Sequence, residues 1–510
     1  MKQDMGLIDR LFQLPLFMLV FGMASLSMLI PAVYAGIVRE LETGRAFLYS
    51  GLLGTIIFVL IAIAHSGRLP GHGALGPLMS LFSTFVFLPL VLAVPFFEAV
   101  QTTSFLNAYI EMVSSVTTTG ATLFDDPERL NRPLHLWRAQ VGWMGGLVMW
   151  IAASAILAPL NLGGFEVTAR AEPGRQEAGK GRVGHPASRK RLVKIIATLF
   201  PIYFGLTLLL WAMLWVSGEE SLVALCHAMS ILATSGISPV GGITGESGLA
   251  GEVVMVLFML FALSRLTFST DTVTSESGGL RHDPEFRIGM ALIIGVPVIL
   301  FCRHWLGSYD VNADATPLDA FNAFWGALFT VMSFLTTTGF KSASWGDAQT
   351  WSGLATPGLI LMGLSLIGGG VATTAGGVKL LRVFALYRNG KREMARLVHP
   401  SSVGGGDPMA RRLQKNGAFI AWIFFMLFAI SLAVVTILLA ATGVTFEQAI
   451  VIAVSSLSTT GPLLEMGGET PIRLIELSDF AKGIVAAAMV LGRLETLAII
   501  ALLTPDLWRG

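Results

Sequence analysis

Apolar runs long enough to cross about 30 Å of hydrocarbon recur along this chain at 11–37, 46–66, 78–100, 136–157, 191–216, 251–269, 287–307, 356–385, 417–443 and 479–504. The pattern predicts ten membrane crossings. Four further stretches, 104–116, 221–232, 320–335 and 446–457, are too short or too polar to span, and each runs directly into a Ser/Thr-Gly sequence. They are expected to be re-entrant helices, because irregular backbone at membrane depth is tolerated only where it faces protein or a water-filled cavity.

The Ser/Thr-Gly sequences are imperfect copies of one another: Thr117-Thr118-Thr119-Gly120, Ala233-Thr234-Ser235-Gly236, Thr336-Thr337-Thr338-Gly339 and Ser458-Thr459-Thr460-Gly461. Their glycines are 116, 103 and 122 residues apart, and each interval holds an apolar span, a short amphipathic run, the copy and another span. This is a fourfold internal repeat. A lone copy would read as a helix C-cap with φ > 0. Four in register, arranged around one axis, can aim main-chain carbonyls at a common line and replace the hydration shell of a cation. Glycine suits the turn because it accepts backbone angles that β-branched neighbours resist. The C-terminal ends of the short helices would add partial negative charge toward such a cation.

Composition agrees with a membrane location. Of 510 residues, 54% are hydrophobic and 13% charged, with a mean hydropathy of +0.70, against about 25% charged in soluble domains. The fold class expected is an all-α polytopic membrane protein, with four pseudo-symmetric span/short-helix/turn/span repeats around one pore plus two extra N-terminal transmembrane helices. The divisions are 1–72 (the N-terminal pair), 73–165 (repeat 1), 166–190 (a loop), 191–275 (repeat 2), 276–390 (repeat 3), 391–416 (a loop) and 417–510 (repeat 4). A net charge of +1 gives no basic surface for nucleic acid. Cys226 and Cys302 lack the spacing of a zinc site or a disulfide framework. The N-terminal apolar stretch has no small-residue cleavage site and reads as a retained span.

No catalytic constellation emerges. H-E-x-x-H and G-x-S-x-G are absent, so an enzyme is not expected and no catalytic residue is assigned. Gly174-x4-Gly179-Lys180 resembles a phosphate-binding loop, but Gly181 stands where Ser or Thr should bind Mg²⁺ and no strand precedes it.

Lys and Arg are concentrated in two loops: Arg170, Arg175, Lys180, Arg182, Arg189, Lys190, Arg191 and Lys194 in one, and Arg388, Lys391, Arg392, Arg396, Arg411, Arg412 and Lys415 in the other. The positive-inside rule makes both cytoplasmic, and both termini with them. The opposite side carries Asp125, Asp126, Glu128, Glu219, Glu220, Glu246, Asp310, Asp314, Asp319, Asp347, Glu447, Glu465 and Glu469. They are expected to form an acidic vestibule that concentrates cations.

Several motifs together resemble the TrkH/KtrB/HKT superfamily of potassium transporters, most closely its bacterial TrkH branch, over almost the whole chain. They are Ser115–Thr122, Trp143-Met144-Gly145-Gly146-Leu147, Leu335–Phe340, Gly368–Lys379 and Leu491-Gly492-Arg493-Leu494-Glu495. The resemblance implies K⁺ uptake across the bacterial inner membrane through a channel-like pore. K⁺ would lie against the main-chain carbonyls of Thr118, Thr119, Thr234, Ser235, Thr337, Thr338, Thr459 and Thr460. It also implies a homodimer in the bilayer, with a cytosolic TrkA-like nucleotide-binding ring. No cofactor is expected on the chain itself; nucleotide would act only through that partner.

The eighth span is broken by Gly368-Gly369-Gly370 and Gly376-Gly377 around Ala372-Thr373-Thr374-Ala375. In the similar proteins this stretch is an intramembrane gate, and broken helices commonly mark permeation sites; close packing through small residues is the alternative. Arg493 lies in an otherwise apolar span, where a charge requires partners. By resemblance it faces the pore and holds the loop; otherwise it pairs with Glu495 or snorkels. Arg265 is a second such charge without an assigned role. The second copy continues Gly236-Ile237-Ser238-Pro239, and Lys341 follows Gly339 by two residues, where it would slow ion access or pair with Asp347. The rival class is a proton- or sodium-coupled secondary transporter, which needs acids at mid-membrane; the spans offer few apart from Glu495.

Overall fold

The computed structural model describes residues 14–65, 75–158, 185–243, 246–264, 283–307, 317–354, 356–398 and 417–495. These residues form helices, turns and irregular segments, with no strand among them. Among the described residues eight helices are long and apolar enough to cross a membrane: Leu16–Val38, Leu41–Ala64, Gly76–Val100, Arg132–Leu157, Arg191–Val216, Pro284–His304, Pro317–Leu335 and Gly417–Ala441. The chain is an all-helical, polytopic membrane protein.

Seven of the ten expected crossings are therefore helices of spanning length, two of them with a one-residue turn at Met28 and Phe87, and the other three differ in an informative way. The sixth ends early, as Gly248–Met259 followed by the 3₁₀ turn Leu260–Ala262. The eighth stops at Ile367, where Gly368 adopts φ 73°, and helix resumes only at Leu380. The tenth is described as Asp479–Leu494. Conversely, the stretch expected over 320–335 begins at Pro317 and reaches spanning length at 19 residues. It still ends, like its three counterparts, in a Thr/Ser-Gly turn.

The counterparts are Phe105–Val116, Ser221–Ala233 and Phe446–Leu457. Side-chain caps start two of them: Ser104 accepts from the Asn107 N–H and Thr445 from that of Gln448. The following spans are capped likewise, by Asn131 on Leu134 N–H and Ser478 on Ala481 N–H. Glycine lets backbone meet backbone where these elements pack: a β-carbon at Gly492 would come within 2.8 Å of the Leu457 Cα. Burial separates centre from rim. Arg132–Leu157 is 89% buried, whereas Leu41–Ala64 is 17% buried and offers Leu52, Leu53, Ile56 and Leu60 to lipid.

Candidate ion site and the loop beside it

Each short helix unwinds the same way. Thr118, Thr234, Thr337 and Thr459, the equivalent residues of the four copies, take φ of 54°, 51°, 59° and 54°. Left-handed backbone costs a non-glycine residue roughly 1–2 kcal/mol, so its presence at all four sites reflects a shared constraint. One constraint is a hydrogen bond repeated at 2.9 Å: Thr119, Ser235, Thr338 and Thr460 donate N–H to the carbonyls of Ser114, Ser230, Ser333 and Ser455. The acceptor is a serine six residues before the glycine in every copy.

Behind the backbone, hydroxyls pair within a copy: Thr117 with Thr119 at 2.8 Å, Thr336 with Thr338 at 3.1 Å and Ser458 with Thr460 at 3.2 Å. The second copy has Ala233 at the first of these positions, and Ser235 turns instead to Ser230 at 3.2 Å.

The four glycines close a ring in chain order. A β-carbon at Gly120 would collide with the Ser235 carbonyl, one at Gly236 with that of Thr338, one at Gly339 would lie 2.9 Å from Pro462 Cδ, and one at Gly461 would lie 2.5 Å from the Gly120 carbonyl carbon. All four glycines line a single cavity of about 310 Å³. Gly120, Gly236 and Gly339 have φ of 72°, 66° and 85°. Gly461 is not left-handed, and its N–H crosses to the Thr119 carbonyl at 2.6 Å.

The cavity lining corrects the expectation of an acidic vestibule. Among its lining residues the acids are Asp125 and Glu465, opposed by Arg138, Lys341 and Arg473. Burial raises the carboxyl pKa of Glu465, with Lys341 opposing; burial likewise raises that of Asp125, against the pull of Arg473. Lys341 pairs with Glu465 at 3.7 Å, not with Asp347. Glu219 is buried and turned inward to His227 and Ser247 at 3.1 and 3.0 Å, and Glu220 pairs with Arg132.

Residues outside the sequence reading hold the segment after three of the four turns. Nine positions before the glycine stand Glu111, His227 and Thr330 in the first three copies. Glu111 accepts from Leu123 N–H at 2.9 Å, His227 Nε2 meets Ser238 Oγ at 3.0 Å, and Thr330 accepts from Ser342 N–H at 3.2 Å. The fourth copy has buried Ile452 there. Glu111 is neutralised by Arg138 at 2.7 Å. Glu252 accepts from Trp325 Nε1, Ser342 Oγ and Ala343 N–H at 2.6–2.9 Å. Buried acids are thus more numerous than Glu495 alone, but each of these is engaged in holding structure. The signal legible in principle was a polar side chain recurring at one register of a helix that is otherwise buried.

The irregular stretch 368–379 packs directly on the turns. Gly376 donates N–H to Thr337 Oγ1 at 2.8 Å, and Thr374 Oγ1 donates to the Leu232 carbonyl at 3.1 Å. A β-carbon at Gly376 would collide with the Ser458 carbonyl. The stretch therefore touches three of the four copies. Gly370 donates N–H to the Ala262 carbonyl at 3.0 Å, Gly369 accepts from Leu380 at 3.0 Å, Thr373 Oγ1 bonds Gly370 at 2.8 Å, and Gly377 has φ 77°.

Charged side chains also hold the loop. Arg493 Nη1 donates to the Thr374 carbonyl at 2.6 Å, Glu285 accepts from Val371 N–H at 3.0 Å, and Lys379 Nζ donates to the Ala375 carbonyl. Glu495 belongs to Arg382, at 2.6 Å and with the guanidinium 3.5 Å from the Phe424 ring centre, so Arg493 is not its partner. Arg265 lies outside the described residues, as do Arg170, Arg175, Lys180, Arg182, Arg411, Arg412 and Lys415 of the basic loops.

Fold and site together define a membrane protein in which four equivalent helix–turn units meet at one cavity, with a broken helix packed on their turns. The model of the family TrkH, cation transport protein, matches residues 83–242 and 251–507. The Trk system potassium uptake protein TrkH of Escherichia coli (strain K12) is 30% identical over 495 residues, covering 95% of this chain and 96% of its own. The same-named protein of Vibrio parahaemolyticus is 31% identical over 417 residues, 80% of each chain. A crystal structure titled as the potassium transporter TrkH from Vibrio parahaemolyticus superposes with a TM-score of 0.78 at 25% identity, over 99% of this chain and 100% of that one. The chain belongs to the TrkH family of cation transport proteins.

Proposed function

We propose that this protein takes up K⁺ across a bacterial inner membrane through a channel-like pore. The observation that carries this is the convergence of four left-handed turns, closed in a ring of glycines, on one cavity. Four such turns offer a desolvated cation a set of main-chain carbonyls whose number and field select the ion. The names of the relatives, Trk system potassium uptake proteins, support K⁺ as that cation. Thr117–Gly120, Thr234–Gly236, Thr336–Gly339 and Thr459–Gly461 act as the filter.

The loop bearing Gly369, Gly370, Thr373, Thr374, Gly376 and Gly377 acts as the gate, and Arg493 as its latch and as a positive barrier to free flow. Support comes from the loop's bonds to Thr337 and Leu232 and from the Arg493 bond to Thr374. A cytosolic nucleotide-binding ring, TrkA-like, biases the gate's two-state equilibrium on a homodimer whose termini are cytoplasmic.

The test is cation flux into proteoliposomes of the purified protein, K⁺ against Na⁺, with and without a proton gradient and with no partner added. Passive K⁺-selective flux supports the filter. Flux that requires a gradient moves the assignment to a coupled transporter. A pore silent alone but opened by the nucleotide-loaded ring supports the gate.

A further inference from the structure

The fourth copy breaks the symmetry, and the cause is one residue. The position after the glycine is Ala121, Ile237, Phe340 and Pro462 in turn. A proline disfavours α backbone at the residue before it and favours extended angles, and Gly461 alone of the four glycines lacks a positive φ. Its N–H, instead of folding back on its own helix as those of Gly120 and Gly339 do on Ser114 and Ser333 at 3.4 and 3.2 Å, binds the Thr119 carbonyl at 2.6 Å. Pro462 then turns the chain so that Leu463 donates N–H to the Thr460 carbonyl at 3.2 Å. That oxygen also accepts from Ser455 Oγ at 3.0 Å. The proline ring itself lies against two other copies: a β-carbon at Gly236 would come within 2.7 Å of its Cγ, and one at Gly339 within 2.9 Å of its Cδ.

The consequence is unequal rings of carbonyls. At the second position of the copies, the carbonyls of Thr118, Thr234, Thr337 and Thr459 accept no hydrogen bond among the described residues. At the third position Ser235 and Thr338 are likewise free, but Thr119 and Thr460 are engaged. A carbonyl that accepts a hydrogen bond turns part of its negative charge toward the donor, and coordination strength follows the number and field of the carbonyl dipoles.

Building on the filter reading, we propose that Pro462 is a specificity-determining residue that divides the filter into two unequal sites. The ring of Thr118, Thr234, Thr337 and Thr459 is the complete, selective site. The ring of Thr119, Ser235, Thr338 and Thr460, on the cavity side, is a weak capture site with two carbonyls withdrawn. A weak outer site lets an ion enter and move on, which conduction requires.

The experiment uses the full-length protein in proteoliposomes, measuring KM and Vmax for K⁺ separately. Pro462→Ala frees Gly461 to take a positive φ and returns carbonyls to the outer ring, so KM for K⁺ falls about threefold or more while Vmax does not rise. Ser455→Ala leaves the proline turn intact and removes one donor from the Thr460 carbonyl; its KM falls in the same direction by less, and it decides the matter if Pro462→Ala does not fold. Unchanged KM in a folded variant, whether or not Vmax falls with the amount of active protein, overturns the inference while K⁺-selective uptake by the parent protein keeps the filter reading. A parent protein without K⁺-selective uptake overturns both.

Discussion

Gly376 and Thr337 lie 39 residues apart in sequence, yet the amide of the first donates to the hydroxyl of the second at 2.8 Å. This bond joins the broken helix directly to a turn whose backbone is left-handed at that same threonine. Thr337→Val keeps the shape and removes the acceptor, leaving a buried N–H unpaired at about 1–3 kcal/mol. The loop's held state is weakened by that amount, and basal K⁺ flux of the isolated protein rises about tenfold, since about 1.4 kcal/mol is a factor of ten. Thr337→Ser retains the acceptor and stays near the parent rate. Equal flux in the two variants, measured with matched protein incorporation, removes the bond from the gate.

Gly339 has φ 85°, and a β-carbon there would lie 2.9 Å from Pro462 Cδ. Gly339→Ser therefore meets both a backbone penalty of roughly 1–2 kcal/mol and a rigid neighbour. The turn relaxes outward, and a carbonyl set fitted to a larger ion loses discrimination: the K⁺/Na⁺ flux ratio falls by about an order of magnitude. Reversal potentials in the planar bilayer give the ratio directly, and an unaltered value would show that this turn does not set selectivity.

The four turns were legible because a repeat multiplies a weak local signal: one Thr-Thr-Gly is a cap, but four at similar intervals are an architecture. The broken eighth span was legible from Gly368–Gly370 and Gly376–Gly377, whose lack of side chains is visible without coordinates. What the residues alone concealed was pairing across the sequence. Asp125, Glu219 and Glu465 read alike as outer acids, yet Glu219 is buried on His227 while Glu465 faces Lys341. Arg382 lies near the end of an apolar run, and only the fold brings it 2.6 Å from Glu495, 113 residues on. The proline at 462 was present in the sequence, but its effect depends on Thr119, which belongs to a copy more than 300 residues away.

Arg493 is 3% exposed, and its Nε and Nη2 have no hydrogen-bond partner among the described residues while Nη1 holds Thr374. On the proposed gate reading, this buried guanidinium with spare donors would both fix the loop and repel a passing cation. Arg493→Ala removes both effects, and flux in the absence of any partner rises about tenfold or more. Arg493→Lys restores charge without the planar fork, so it recovers the repulsion but not the directed bond and falls between the two. A well-folded Ala variant with unchanged or abolished flux excludes the barrier role.

Glu465 sits at the cavity beside Lys341, and its carboxyl pKa is raised by burial although Lys341 pulls it down. A raised pKa means that the carboxyl takes up its proton at a higher pH than an exposed glutamate would, so acidifying the outer solution discharges it early. Lys341 then loses its counter-charge at the cavity, where it opposes an approaching cation. KM for K⁺ therefore rises as outer pH falls, with little change in Vmax, because the effect acts on capture and not on the gate. Glu465→Gln fixes the neutral state: its KM is high at neutral pH and loses most of the acid dependence, while Lys341→Ala lowers KM and flattens the same curve. Identical acid sensitivity in the parent and in Glu465→Gln would transfer the effect to another group, and Asp125, whose carboxyl is also raised by burial against Arg473, is the next to replace.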